Sequence, residues 1–162
     1  MKNFSKILLS LISVVIVCLN TANSEESTLL TGSVSLVPKS FYGTWRVISF
    51  LEDTNSSQTF KKNGLDLWNL SRSSDVIILS NPFNGAKAEI KIDKVEDNFV
   101  IFTKSGKYGN KLLTDTVEMK IEGEHFTGKD KIQLDTIVNN KKMKTETAIY
   151  IIKGEKIAGD VY

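Results

Sequence analysis

The chain has almost none of the residues from which most catalytic and metal centres are assembled. Among its 162 residues there is one cysteine, Cys18, and one histidine, His125. A Ser-His-Asp or Cys-His constellation would have a single imidazole to draw on, and strand alternation turns His125 outward beside Glu124. A metal site wants several His or Cys ligands, and no EF-hand spacing offers a carboxylate alternative. Glycine-rich phosphate loops are missing as well: Lys104-Ser105-Gly106-Lys107-Tyr108-Gly109-Asn110 lacks the P-loop order and reads as a hairpin loop. These absences exclude the common enzyme classes, so no catalysis and no cofactor is expected. No stretch carries a helical period, which points to an all-β protein.

No apolar run reaches the roughly 20 residues that a membrane-spanning helix needs. The longest, Ile7 to Leu19, follows Lys2 and Lys6 and precedes Ala22-Asn23-Ser24, the pattern of a secretory signal peptide over residues 1–24 cleaved after Ser24. Val15-Ile16-Val17-Cys18 outlines a bacterial lipobox, but Val17 stands where Gly, Ala or Ser is wanted, which argues against lipid anchoring through Cys18. Cleavage would remove two of the 21 basic residues and none of the 19 acidic ones, leaving 19 of each and a formal charge of zero. No nucleic-acid or acidic-membrane partner follows from such a balance. The expected product is secreted or periplasmic, has no membrane span and no thiol, and depends on packing rather than disulfides.

What is present is strand signal. Residues 25–40 are Ser/Thr-rich up to Pro38 and read as an extended arm. Phe41 to Leu51 then makes a first strand, with Trp45, Val47, Ser49 and Leu51 on one face and Gly43 beside the indole. Asn55 to Gly64 is a polar connection suited to cover one open end of a barrel. Strands follow at Leu65 to Arg72 and Asp75 to Asn81, joined by Ser73-Ser74, and Asn81-Pro82-Phe83-Asn84-Gly85 predicts a hairpin. Ala86, Ala88, Ile90 and Ile92 alternate with Lys87, Glu89 and Lys91, and the same rhythm returns in Val117, Met119 and Ile121 and in Phe126 through Leu134. Between these lie the Phe99 to Lys104 strand and a Ser105 to Lys111 loop. Asn139 to Lys142 breaks the chain before a strand over Thr145 to Lys153, and Gly154 leads into a last one ending at Val161.

Nine short segments, all wet on one face, predict an antiparallel up-and-down β-barrel of about eight strands over residues 41–162, with a β-sandwich as the alternative. Lysines in mid-strand exclude an outer-membrane barrel, since each would cost about 2–4 kcal/mol against lipid.

Gly43-Thr44-Trp45 at the start of the first strand resembles the lipocalins and the wider calycin group. That resemblance implies an eight-stranded barrel closed over a ligand cavity, with Gly43 and Trp45 structural at its floor. Thr114-Asp115-Thr116 keeps two residues of the second lipocalin motif, Thr-Asp-Tyr, and loses the tyrosine. The arginine that the family places over the first-strand tryptophan has no counterpart, because Arg46 and Arg72 are the only arginines.

Alternation aims three polar residues inward: Ser49, Asp115 and Asp130. Either they line a wet cavity, or the register slips at a bulge and the aspartates cap turns. Trp68 is either a core or rim aromatic or a stacking platform for a ligand. Two functions fit. One is binding of a small apolar or amphipathic ligand in the barrel interior, with Trp45, Ser49, Trp68, Ala86, Ala88, Asp115 and Asp130 as its lining. The other is a protein-binding module, analogous to bacterial protease inhibitors built on small barrels, that offers residues 25–38 to a protein partner.

Overall fold

The structure, a computed structural model, describes residues 34–159. The expected signal peptide, its cleavage site, Cys18 and the first part of the arm lie outside the described residues, as does Val161.

Alternating side chains wind into one closed sheet of eight antiparallel strands: β1 (Gly43–Thr54), β2 (Asn63–Ser73), β3 (Val76–Ser80), β4 (Lys87–Glu96), β5 (Phe99–Tyr108), β6 (Lys111–Glu122), β7 (His125–Val138) and β8 (Lys141–Ala158). Each pairs with the next, and β8 returns to β1, where Val47 faces Gly154 and Ser49 faces Ile152. Closure leaves no open sheet edge, so the up-and-down barrel holds and the sandwich does not. Among the described residues no helix is long and apolar enough to cross a membrane.

Most of the residues expected inward are inside. Trp45, Val47, Ile90, Ile92, Val117, Met119, Ile121 and Phe126 are buried, while Arg46, Lys91, Lys120 and His125 face water. Trp45 is fully enclosed. Burying side chains of this size stabilises by about 1.5–3 kcal/mol each, so the inward rows hold the closed sheet together.

Three local expectations need correction. The last two of the nine expected segments are one strand, because Gly154 continues β8 rather than breaking it. A Cβ there would stand 2.0 Å from Cε1 of Phe126, so the missing side chain makes room for that ring. The Ser105 to Lys111 loop shrinks to a turn at Gly109-Asn110, since pairing continues from Ser105–Thr114 to Tyr108–Lys111. Finally, Ala86, expected to begin a strand and point inward, is exposed and lies just before β4.

The two ends of the barrel differ. At the start of β1, residues 34–42 fold across the opening through a 3-10 turn at Lys39–Phe41, and Val34, Val37, Phe41 and Tyr42 are buried. Part of the segment read as an arm thus closes the floor. At the other end, the chain from Asn55 to Lys62 crosses the mouth, held by the Leu51 amide donating to the Lys62 carbonyl at 2.8 Å and by Phe60 packing on the core.

Candidate functional site

β1 and β2 set the depth of the site. Trp45 pairs with Trp68, and Ser49 pairs with Gly64 nearer the mouth. A Cβ on Gly64 would come within 2.5 Å of Ser49 Oγ, so the two strands meet closely at that level.

Below this level the interior is filled. The Trp45 indole donates its N–H to the Phe41 carbonyl at 3.1 Å and meets Phe126 edge-on at 5.2 Å. Lys156, inward on β8, donates to the Tyr42 carbonyl at 2.8 Å, with its ammonium 4.9 Å from the centre of the Trp45 ring. A cation over an indole face is attractive. Phe126 stacks on Trp68 at 6.1 Å, and Phe102 meets the same indole edge-on at 6.5 Å. Aromatic contacts therefore link the floor to Trp68.

Above Trp68 lies a cavity of about 440 Å³, inside the range of about 300–1,000 Å³ typical of small-molecule sites. Val47, Phe60, Trp68, Ile132 and Ile152 supply its apolar wall. Ser49, Thr59, Lys61, Asn63, Asp66, Lys104, Asp115, Asp130 and Tyr150 supply the polar part. A smaller lobe of about 200 Å³ opens beside it against Leu79, Ala86 and Ala88, and Asp66, Trp68, Lys104 and Asp115 wall both.

The register explains how the charges converge. Lys104 on β5 pairs with Asp115 on β6, Asp115 with Ile132 on β7, and Asp130 with Tyr150 on β8. Lys104 Nζ stands 2.9 Å from Asp115 Oδ2 and 5.6 Å from the Trp68 ring centre. The Trp68 indole N–H donates to Asp66 Oδ2 at 3.0 Å, and the Tyr150 hydroxyl donates to the Lys61 carbonyl at 2.9 Å.

Asp130 is different. It is buried, and its Oδ1, like Oδ1 of Asp115, meets no hydrogen-bond partner among the described residues. Burial pushes its carboxyl up to about 7, the neighbouring Asp115 charge adds to the rise, and Lys104 opposes it. Tyr150 is also raised, first by burial and then by Asp130.

Two further carboxylates near the mouth behave in the opposite way. Asp135 is held down at about 2 by hydrogen bonds from Lys142 and Thr145, and Glu146 at about 2 by Lys144, Ser56 and Thr59. Their small exposure comes from the partners' side chains lying over them.

Of the seven residues expected to line a site, Ser49, Trp68, Asp115 and Asp130 meet at the 440 Å³ cavity. Ala86 and Ala88 line only the smaller lobe, and Trp45 belongs to the floor. Both aspartates point inward without the register slip that would have made them turn caps. Asp66, Lys104 and Tyr150 were missed. Alternation could have found them, since they share faces with Trp68, Phe102 and Ile152.

Among the described residues no group of three or more His, Cys, Asp or Glu side chains is placed to hold a metal ion. Comparison of the chain with protein-family models, with curated proteins and with solved structures finds no match.

Proposed function

We propose that the barrel binds one small apolar or amphipathic molecule, without covalent chemistry, in the cavity above Trp68. The observation that carries this reading is a space of about 440 Å³ with apolar walls and a few converging polar groups, set over a packed floor. A barrel of eight strands is wide enough either to be filled by side chains or to hold one small ligand, and this one does the first below Trp68 and leaves room for the second above it.

A lipocalin-like kinship belongs to the same proposal. It is supported by the Gly43-Thr44-Trp45 start, the eight-stranded meander and a last-strand cation over the tryptophan ring, a place taken here by Lys156 instead of arginine. Export belongs to it as well, on the strength of residues 1–24: mass spectrometry of an extracytoplasmic fraction should find a chain beginning at Glu25, and an intact N-terminus or a lipid on Cys18 would contradict it. The protein-binding alternative would have to rely on residues 25–33, because Val34 and Val37 are committed to the floor.

Titration of tryptophan fluorescence with fatty acids and isoprenoid alcohols tests the reading. A saturable change is expected, and Ser49→Phe, which fills the cavity, should weaken it at least about tenfold, roughly 1.4 kcal/mol. Absence of any saturable change, together with no small molecule retained in native mass spectrometry, would remove the reading.

A further inference from the structure

The cavity's polar groups carry an unmet demand of one sign. Its ionisable lining comprises Asp66, Asp115 and Asp130 against Lys61 and Lys104, with Tyr150 neutral, an excess of one negative charge when Asp130 is ionised. Three of the donors around it are directed elsewhere: Lys104 to Asp115 Oδ2, Trp68 to Asp66, Tyr150 to the Lys61 carbonyl. The acceptors are not all used. Oδ1 of Asp115 and Oδ1 of Asp130 are buried and without hydrogen-bond partners among the described residues, and both aspartates belong to the lining of this cavity. A buried carboxylate oxygen left in that state is costly, and a charged donor placed against it is the strongest remedy.

We propose that the ligand is a protonated amine with an apolar body, its ammonium seated between Asp115 and Asp130 and its body against Trp68, Phe60 and Ile152. This rests on the small-molecule reading above and narrows it to a ligand class. Ammonium supplies three donors on a compact charge, enough to serve both carboxylates. A hydroxyl supplies one donor and no charge. A carboxylate would set its charge against two others, with the single inward lysine of β5 already engaged by Asp115.

The groups facing Asp130 also set the pH dependence. Asp115 from β6 and burial oppose its ionisation, Lys104 from β5 favours it, Tyr150 from β8 stays protonated, and Asp66 from β2 and Lys61 from the mouth connection stand further along the lining. With the empty carboxyl titrating at about 7, the ammonium should bind more tightly as pH rises. Between about pH 6 and about pH 8 the ionised fraction grows about tenfold, and affinity should follow it, while the amine, with its pKa well above this window, stays protonated.

The test is isothermal titration of the exported chain with octylamine, octan-1-ol and octanoate, which share one apolar body and differ in the head. Octylamine should bind at least about tenfold more tightly than octanol at about pH 8, with the pH slope given above and no slope for octanol. Asp130→Asn should bring octylamine down to the octanol level and leave octanol unchanged. Should that variant fold poorly, the wild-type pH slope decides. Equal binding of amine and alcohol, tighter binding of octanoate, or a flat octylamine profile would overturn the amine assignment and leave small-molecule binding standing. Failure of all three to bind would take away both.

Discussion

The floor and the mouth of this barrel are built from the same alternating strands and solve opposite problems. At the floor the Trp45 indole has neighbours of matching chemistry on every side that matters: Phe126 edge-on, the Phe41 carbonyl on its N–H, Lys156 over its face. At the mouth Asp115 and Asp130 are just as inward, and each leaves an oxygen without a hydrogen-bond partner among the described residues. Local inconsistency of that kind lowers stability and persists where a site gains from it. The contrast assigns stability to one end and recognition to the other.

Breaking the floor should have the largest effect. Trp45→Ala removes a fully buried indole and should destabilise by about 3–5 kcal/mol in urea unfolding, whereas a loss under about 1 kcal/mol would mean that the floor is not where stability resides.

At the mouth the sign should reverse. Asp130→Asn removes a buried ionisable group and should raise the stability of the ligand-free protein by about 1–3 kcal/mol at about pH 8, measured the same way; destabilisation there would mean that the carboxylate is satisfied.

Acid and base should act on the two kinds of carboxylate in opposite directions. The folded-state value of Asp130, about 7, lies above its ordinary 3.8, so the folded protein holds the extra proton between these values. Its contribution is therefore present at low pH and is lost as pH rises through about 7, at about 1.4 kcal/mol for each unit of separation. Asp135 and Glu146, held at about 2, stabilise above their ordinary range and lose that contribution as pH falls towards about 2. A stability profile with a maximum on the acid side of neutrality, shifted to higher pH by Asp130→Asn, is expected; no shift on that substitution would contradict the assignment.

Lys156→Met keeps the stem and removes the charge over Trp45. It should cost about 1–2 kcal/mol in chemical denaturation, from the lost cation–ring contact and the lost bond to the Tyr42 carbonyl. Lys129→Ala breaks an exposed 2.8 Å pair with Glu52 and should change stability by less than about 1 kcal/mol. If those two costs came out in the reverse order, the floor cation would have no special standing.

The architecture was legible because a period of two carries a side with it. Ala88 to Ile92, Val117 to Ile121 and Phe126 to Leu134 state which face is wet, and hairpin signals such as Asn81 to Gly85 give the order; closure follows when every neighbour pairs. Glycine was the least legible residue. Gly154 reads like a strand end, yet it sits in mid-strand because Phe126 occupies its side-chain space, a fact about a residue on β7 that local sequence cannot hold. The loop at Ser105 to Lys111 was overestimated since its polar side chains carry no burial signal although the ladder runs through them.

The site was half legible. Asp115 and Asp130 stand out as charges at inward positions, but Lys104 and Lys156 occupy equally inward positions and pass for ordinary surface lysines until the opposite wall is known. What distinguishes them is the partner, Asp115 for one and the Trp45 face for the other.

The chain has two tryptophans, Trp45 enclosed in the packed floor and its strand neighbour Trp68 on the cavity wall, and this permits a direct measurement. In a two-dimensional NMR titration of the folded protein with octylamine, the indole N–H resonance of Trp68, bound to Asp66 at the cavity wall, should move and saturate. That of Trp45, enclosed beneath Phe126 and bound to the Phe41 carbonyl, should stay in place. Movement of the Trp45 resonance with Trp68 unmoved, or equal movement of both, would contradict a floor that only holds the fold and a mouth that binds.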